Sequence, residues 1–173
     1  IVTAKAVATL DHVSGGRAAL GVGFGWNEDE MADHGVDYRT RRTVAREHVL
    51  AMQTRWHDDE AEFAGEHVRF TPCWSWPKPA QRDHQGRPHV PVLMGGAAGP
   101  KLFAHAVEYA DGWLPIGGAG LADALPTLRA ALAEAGRDPG HFEVVPFATI
   151  PEPGKLDHYE NLGVTEVVFD LPS

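Results

Sequence analysis

Three glycine-bearing stretches have the residue types to hold an anion or to let a planar ligand approach the backbone: LGVGFGWNEDE at 20–30, MGGAAGP at 94–100 and LPIGGAG at 114–120. A glycine run after an apolar strand frees consecutive N–H groups, and a following helix aims its positive dipole end at whatever they enclose. MGGAAGP has this plan, with Pro100 suited to a first helical turn, and Gly95, Gly96 and Ala97 are its candidates for phosphate contact. LPIGGAG offers a second set of amides from Ile116, Gly117 and Gly118. In the first stretch Gly21, Gly23 and Gly25 are spaced G-x-G-x-G, one residue short of the dinucleotide fingerprint, and acidic residues follow them. There Gly23 and Gly25 would let the backbone pass close to a ring system. The Asn27 side chain, one acceptor and two donors, could address a polar ring edge or a ribityl chain. The plainer reading is that the glycines end a strand and Asn27 caps the next segment.

Other chemistry-bearing residues carry less. The 10 histidines form neither H-x-H nor H-E-x-x-H, so no metal site is expected. Glu28, Asp29 and Glu30 read as a solvated first turn, with Glu28 the one possible proton donor. Arg39, Arg41 and Arg42 read as a solvated helix face that could also meet an anionic tail. Trp74 and Trp76 either line a substrate entrance or plug the rim of the fold. No residue stands out as a catalytic acid, base or nucleophile, so the catalytic set is left unknown.

The elements that must position these loops alternate along the chain. Helical spacing or a glycine stop marks helices at about 2–16, 39–57, 99–112, 121–136 and 154–163. The stripes that carry them are Val2, Ala6, Thr9, Leu10 and Val13 in the first, Ala45, Val49, Met52 and Trp56 in the second, and Leu121, Leu125, Leu128 and Leu132 in the fourth. Short buried strands fall at about 17–24, 90–96, 112–118, 142–150 and 164–171, with a hairpin at 62–70 and a proline-rich loop at 71–90. Strands apolar on both faces, alternating with helices, give an α/β parallel sheet covered by helices. The repeat of one strand and one helix about every 25 to 40 residues favours a closed barrel over an open sheet, and since a full eightfold barrel needs about 250 residues, five strands would be a fragment of one. One domain over 1–173 is expected, with the hairpin and proline-rich loop inserted at about 60–90.

Composition closes off other classes. A formal charge of −9 speaks against a nucleic-acid groove, which needs clustered Lys and Arg. No apolar run approaches the roughly 18 residues of a membrane span. The single Cys73 cannot form an internal disulfide and suits a reducing cytoplasm.

ATLDHVSGGRAALGVGFGWNEDEM, RPHVPVLMGG and YADGWLPIG, in this order and at these separations, resemble the bacterial luciferase-like monooxygenase superfamily, and within it the branch that uses the deazaflavin coenzyme F420. The resemblance implies a partial (β/α)8 TIM barrel with strands 4 to 8 present, beginning in the third helix and ending after the eighth strand. In the family the first three strands carry a non-prolyl cis peptide behind the flavin and often the catalytic acid or base. It further implies an oxidoreductase moving hydride between F420 and a small organic substrate, with FMN and a monooxygenase reaction as the alternative. Gly23, Gly25, Asn27, Gly95, Gly96, Ala97, Ile116, Gly117 and Gly118 would then face the coenzyme. A partial barrel acting only as a flavin-binding or scaffold protein, or an unrelated phosphate-binding barrel, are the other readings. Five strands of eight would leave open sheet edges, so a second copy or a chain supplying the missing strands is the expected partner.

Overall fold

The computed structural model describes residues 1–170 and divides into two compact units, Ile1–Pro91 and a second beginning at Val92.

The first unit contains α1 (Val2–Ser14), β1 (Leu20–Val22), α2 (Glu28–Asp33), α3 (Arg41–His57), β2 (Glu60–Ala64) and β3 (Arg69–Trp74). Gly15, left-handed at φ 70°, ends α1 as the glycine stop predicts. The buried face of α1 is nevertheless Ala4, Ala8 and Asp11, while Val2, Leu10 and Val13 of the expected stripe are exposed. Small residues on the buried face permit a close approach, and the Trp56 indole N–H donates to the Ala4 carbonyl at 3.0 Å. Helix α3 buries Val49 and Trp56 as expected, and with them Glu47, Ala51 and Arg55. β2 and β3 form the expected antiparallel hairpin, with a bulge between Ala61 and Phe63.

Buried carboxylates also tie the loops of this unit together. Asp11 accepts the amides of Ala80 at 2.8 Å and Gln81 at 3.0 Å, and the Gln81 side-chain N–H at 2.6 Å. Burial pushes its carboxyl up, but the Gln81 and Ala80 donors outweigh burial and hold it below the ordinary value. Glu47 does the same for the hairpin turn, accepting the amides of Glu66, His67 and Val68 at 2.9, 2.7 and 2.9 Å. The proline-rich loop, which contains a cis Trp76–Pro77 peptide, is clasped at its far end by a polar cluster. The His57 Nε2 lies 3.2 Å from His89 Nδ1 and 3.9 Å from the Asp83 carboxylate, which Arg87 pairs at 2.7 Å. Burial, then the charges of Arg87 and His89, pull His57 down to about 4.

The second unit contains β4 (Val92–Gly95), α4 (Pro100–Tyr109), β5 (Gly112–Leu114), α5 (Leu121–Glu134), a 3-10 turn at Pro139–His141, β6 (Glu143–Val144) and α6 (Pro153–Asn161). Strands β4, β5 and β6 pair in parallel, Met94 opposite Trp113 and Trp113 opposite Val144. All four leucines of the α5 stripe are buried. The strand expected at 164–171 is reduced to one parallel bridge between Thr149 and Phe169. Bonds from Val168 N–H to the Pro146 carbonyl and from Asp170 N–H to the Thr149 carbonyl continue that pairing without a regular strand. Leu171, the last residue of that expectation, lies outside the described residues.

No helix among the described residues is long and apolar enough to cross a membrane.

Candidate functional site

In the second unit the chain leaves β4 at Gly95 and enters α4 at Pro100, and the turn between them is built from glycine for physical reasons. Gly96 has φ 147°, a left-handed backbone that favours glycine, and a methyl group added there would lie 3.3 Å from Leu102. Its carbonyl accepts the Trp113 indole N–H at 2.9 Å, so a buried side chain of β5 fixes the turn. Its amide donates to the Leu114 carbonyl at 3.4 Å. Gly99 caps α4 without any side-chain hydrogen bond, and no acidic residue stands in the first turn. The opposite end of this helix is satisfied: Arg137 donates to the carbonyls of Ala106 and Val107 at 3.0 and 2.9 Å. The N-terminal amides and the positive dipole end are thus left facing outward, and a Cβ on Gly99 would meet nothing within 4 Å.

The turn after β5 is braced from behind. The Gly117 amide donates to the Phe147 carbonyl at 2.7 Å, and its carbonyl accepts the Tyr159 hydroxyl at 3.1 Å. Tyr159 also lies 3.2 Å from the Thr149 hydroxyl. A Cβ on Gly118 would collide with the Tyr159 hydroxyl, whereas one on Gly117 would meet nothing. Gly117 therefore shapes this turn through its conformation, its N–H being engaged inside the fold. Ile116, bridged in parallel to Phe147, is 71% exposed and Phe147 is 49% exposed. Two apolar side chains at parallel strand ends, beside glycine turns, can cover one face of a planar ligand.

In the first unit Gly23, Gly25 and Asn27 share the segment from β1 to α2. Gly25 is left-handed at φ 73°, and a Cβ there would run into the end of the Met31 side chain. Asn27 is the N-cap of α2: its side-chain oxygen accepts the Glu30 amide at 3.3 Å. Glu28, Asp29 and Glu30 fill the first turn of that helix. Its positive end is thereby already matched by negative charge. The Arg42 guanidinium stacks 4.4 Å over the Phe24 ring and that of Arg41 3.5 Å over the Tyr38 ring. Trp74 and Trp76 are exposed, at 74% and 60%. Among the described residues no group of three or more His, Cys, Asp or Glu side chains is placed to hold a metal ion.

Sequence reading did not single out Trp113, Thr149 or Tyr159, which build the backs of the two glycine turns. Only an aromatic residue at the start of the strand that precedes LPIGGAG hints at the first of them; nothing in the sequence pairs Tyr159 with Gly118.

The sequence profile of the family described as luciferase-like monooxygenase matches residues 1–150. A protein of Mycobacterium tuberculosis, described only as uncharacterized, is 45% identical over 99% of this chain and 59% of its own length. The F420-dependent glucose-6-phosphate dehydrogenase of Kineococcus radiotolerans is 30% identical over 82% of this chain and 42% of its own. The FMNH2-dependent dimethylsulfone monooxygenase of Pseudomonas putida is 33% identical over 55% of this chain and 26% of its own. Among solved structures, an F420-dependent secondary alcohol dehydrogenase in complex with an F420-acetone adduct superposes with a TM-score of 0.70 at 25% identity, covering 84% of this chain and 44% of that one. The chain spans about three fifths of the length of the mycobacterial relative. The fold is α/β with a parallel sheet, similar to the luciferase-like TIM barrels.

Proposed function

The chain belongs to the luciferase-like monooxygenase family, and from that premise we propose that it holds the phosphate of F420 in an oxidoreductase that moves hydride between this coenzyme and a small organic substrate. One observation carries the reading: α4 starts behind a glycine turn at the end of a parallel strand, with no side-chain cap and no acid in its first turn. Such an end binds anions through free amides and the helix dipole together. The residues fit a phosphorylated ribityl chain. Ala97 and the first turn of α4 are the donors. Gly95 and Gly96 let the backbone pass close to the group while the Gly96 amide stays engaged by Leu114. Gly118 lies in the neighbouring turn, and the open space over Gly99 and Gly117 admits the group.

When bound, the coenzyme supplies the hydride chemistry. The part of this chain is to hold the phosphate, far from the reacting carbon, so that binding energy fixes the orientation of the ring. Ile116 and Phe147 contribute apolar surface that excludes water. The family relationship, rather than any local geometry, supports Gly23, Gly25 and Asn27 as further coenzyme contacts. The kinship with an FMNH2-dependent monooxygenase favours a second reading, FMN with a monooxygenase reaction, because FMN presents a similar phosphorylated ribityl chain to the same turn.

The test is a fluorescence and absorbance titration of the chain with F420 and, separately, FMN, on the wild type and on Gly99→Asp. Saturable binding of F420 that the substitution weakens supports the first reading; the same pattern with FMN alone transfers it to the second. Equal affinity in wild type and variant contradicts the phosphate assignment.

A further inference from the structure

The first unit carries a cationic groove that the coenzyme reading does not use. It has a volume of about 380 Å³ and lies between the start of α1, the middle of α3 and the hairpin, with Thr3, His48, Arg55, His67, Arg69 and Phe70 on its walls. No Asp or Glu lines it, in a chain whose formal net charge is −9. Arg55 is 3% exposed, and its buried Nη2 has no hydrogen-bond partner. An unmatched guanidinium nitrogen away from water is costly unless something accepts from it. Glu47, the buried carboxylate of the same helix, is engaged by the three amides of the hairpin turn. One face of the Arg55 guanidinium is covered by the Phe70 ring, 3.8 Å below it. Stacking leaves the edge of the plane, where the N–H donors point, as the surface for a ligand.

We infer that this groove binds a small oxyanion, the phosphate or carboxylate group of a small molecule, with Arg55 as the buried donor and Arg69 at the mouth. The planar fork of a guanidinium matches either group. His48 is turned to its own helix: its Nδ1 lies 2.8 Å from the Val44 carbonyl and donates there. Arg69 is exposed, so it adds long-range attraction without being needed for the fold.

The test is an NMR titration of the labelled chain with sodium phosphate and, in a parallel arm, sodium succinate, at ionic strength held constant with chloride. Saturable one-site shifts at the amides of Val68 to Phe70 and at the Arg55 side chain are expected with at least one of the anions, and the tighter one identifies the source. Arg55→Gln should weaken binding by about tenfold or more. Because Arg55 also stacks on Phe70, Arg69→Gln provides a variant that keeps the fold, and it should weaken binding about threefold. Failure of both anions to saturate, or shifts of the same size and affinity in Arg69→Gln, would overturn the proposal and leave Arg55 as a structural clamp on the hairpin.

Discussion

The strand ends at Gly23–Asn27 and Gly95–Gly99 share a plan and differ in charge. Each runs from a short strand through glycines into a helix. The first helix, α2, is capped by its own Asn27 and carries Glu28, Asp29 and Glu30 in its opening turn. The second, α4, has neither a side-chain cap nor an acid there. A glycine-rich strand-to-helix turn is therefore not by itself an anion site. What decides is whether the chain has already satisfied the helix end with its own side chains. By that criterion the start of α2 is already matched by its own side chains and the start of α4 is not. The supports differ too: carboxylates hold the first unit's loops, and a parallel ladder with Trp113 and Tyr159 behind it holds the second's.

The sharpest way to break this comparison is to remove the carboxylate that supports the first unit's proline-rich loop. Asp11→Ala leaves the amides of Ala80 and Gln81 without their acceptor and should cost about 3–5 kcal/mol in urea unfolding; a loss under about 1 kcal/mol would mean that packing alone holds this unit.

Acid should separate the two units next. An unfolded His57 takes up a proton near pH 6.5 and the folded one only near 4. Stability present above pH 6.5 is therefore lost as the pH falls to about 4, by no more than about 3 kcal/mol. As the pH falls through the ordinary carboxylate values, 4.5 for Glu47 and 3.8 for Asp11 and Asp83, the stability that their depressed carboxyls contribute is lost as well. Hydrogen exchange should show the amides of the proline-rich loop losing protection between pH 6.5 and 4 while β4 and β5 keep theirs, and His57→Phe should flatten the slope.

Gly99→Asp turns the second strand end into a copy of the first. Gly99 is at φ 160° and ψ 163°, extended backbone that any residue adopts, and Asp is a good N-cap. Melting temperature should hold or rise, while affinity for the phosphorylated coenzyme falls about tenfold or more. A fall in both would point to a structural effect instead. The smallest change is Asn27→Ala, which removes the α2 cap at about 1 kcal/mol, measured by thermal unfolding; no loss would mean that the acidic first turn suffices.

Elements whose burial follows hydropathy were legible in the sequence. The α5 leucines are buried as one continuous stripe, and the MGGAAGP and LPIGGAG turns fall where the strand pattern stops. Helix α1 was legible as a helix but not in its orientation. Periodicity counts Val2, Leu10 and Val13, whereas the hydrogen bonds of Asp11 and the small size of Ala4 and Ala8 decide which face is buried. The α3 stripe missed Glu47 and Arg55 for the same reason, since a buried charge is explained by partners far away in sequence. Helix α2 has six residues and no buried ones, so it has no apolar period to detect and only the Asn27 cap announces it. At the candidate site the glycines could be read directly, but the engaged amide of Gly117 could not. That bond reaches Phe147, thirty residues on, through a parallel pairing that only the fold supplies.

The most direct test of the central claim is an amide-resolved NMR titration of the chain with F420. Shifts that saturate together at Gly95 to Leu102 and at Gly118 are the predicted result. Saturating shifts at the start of α2 with none at the start of α4 would contradict it.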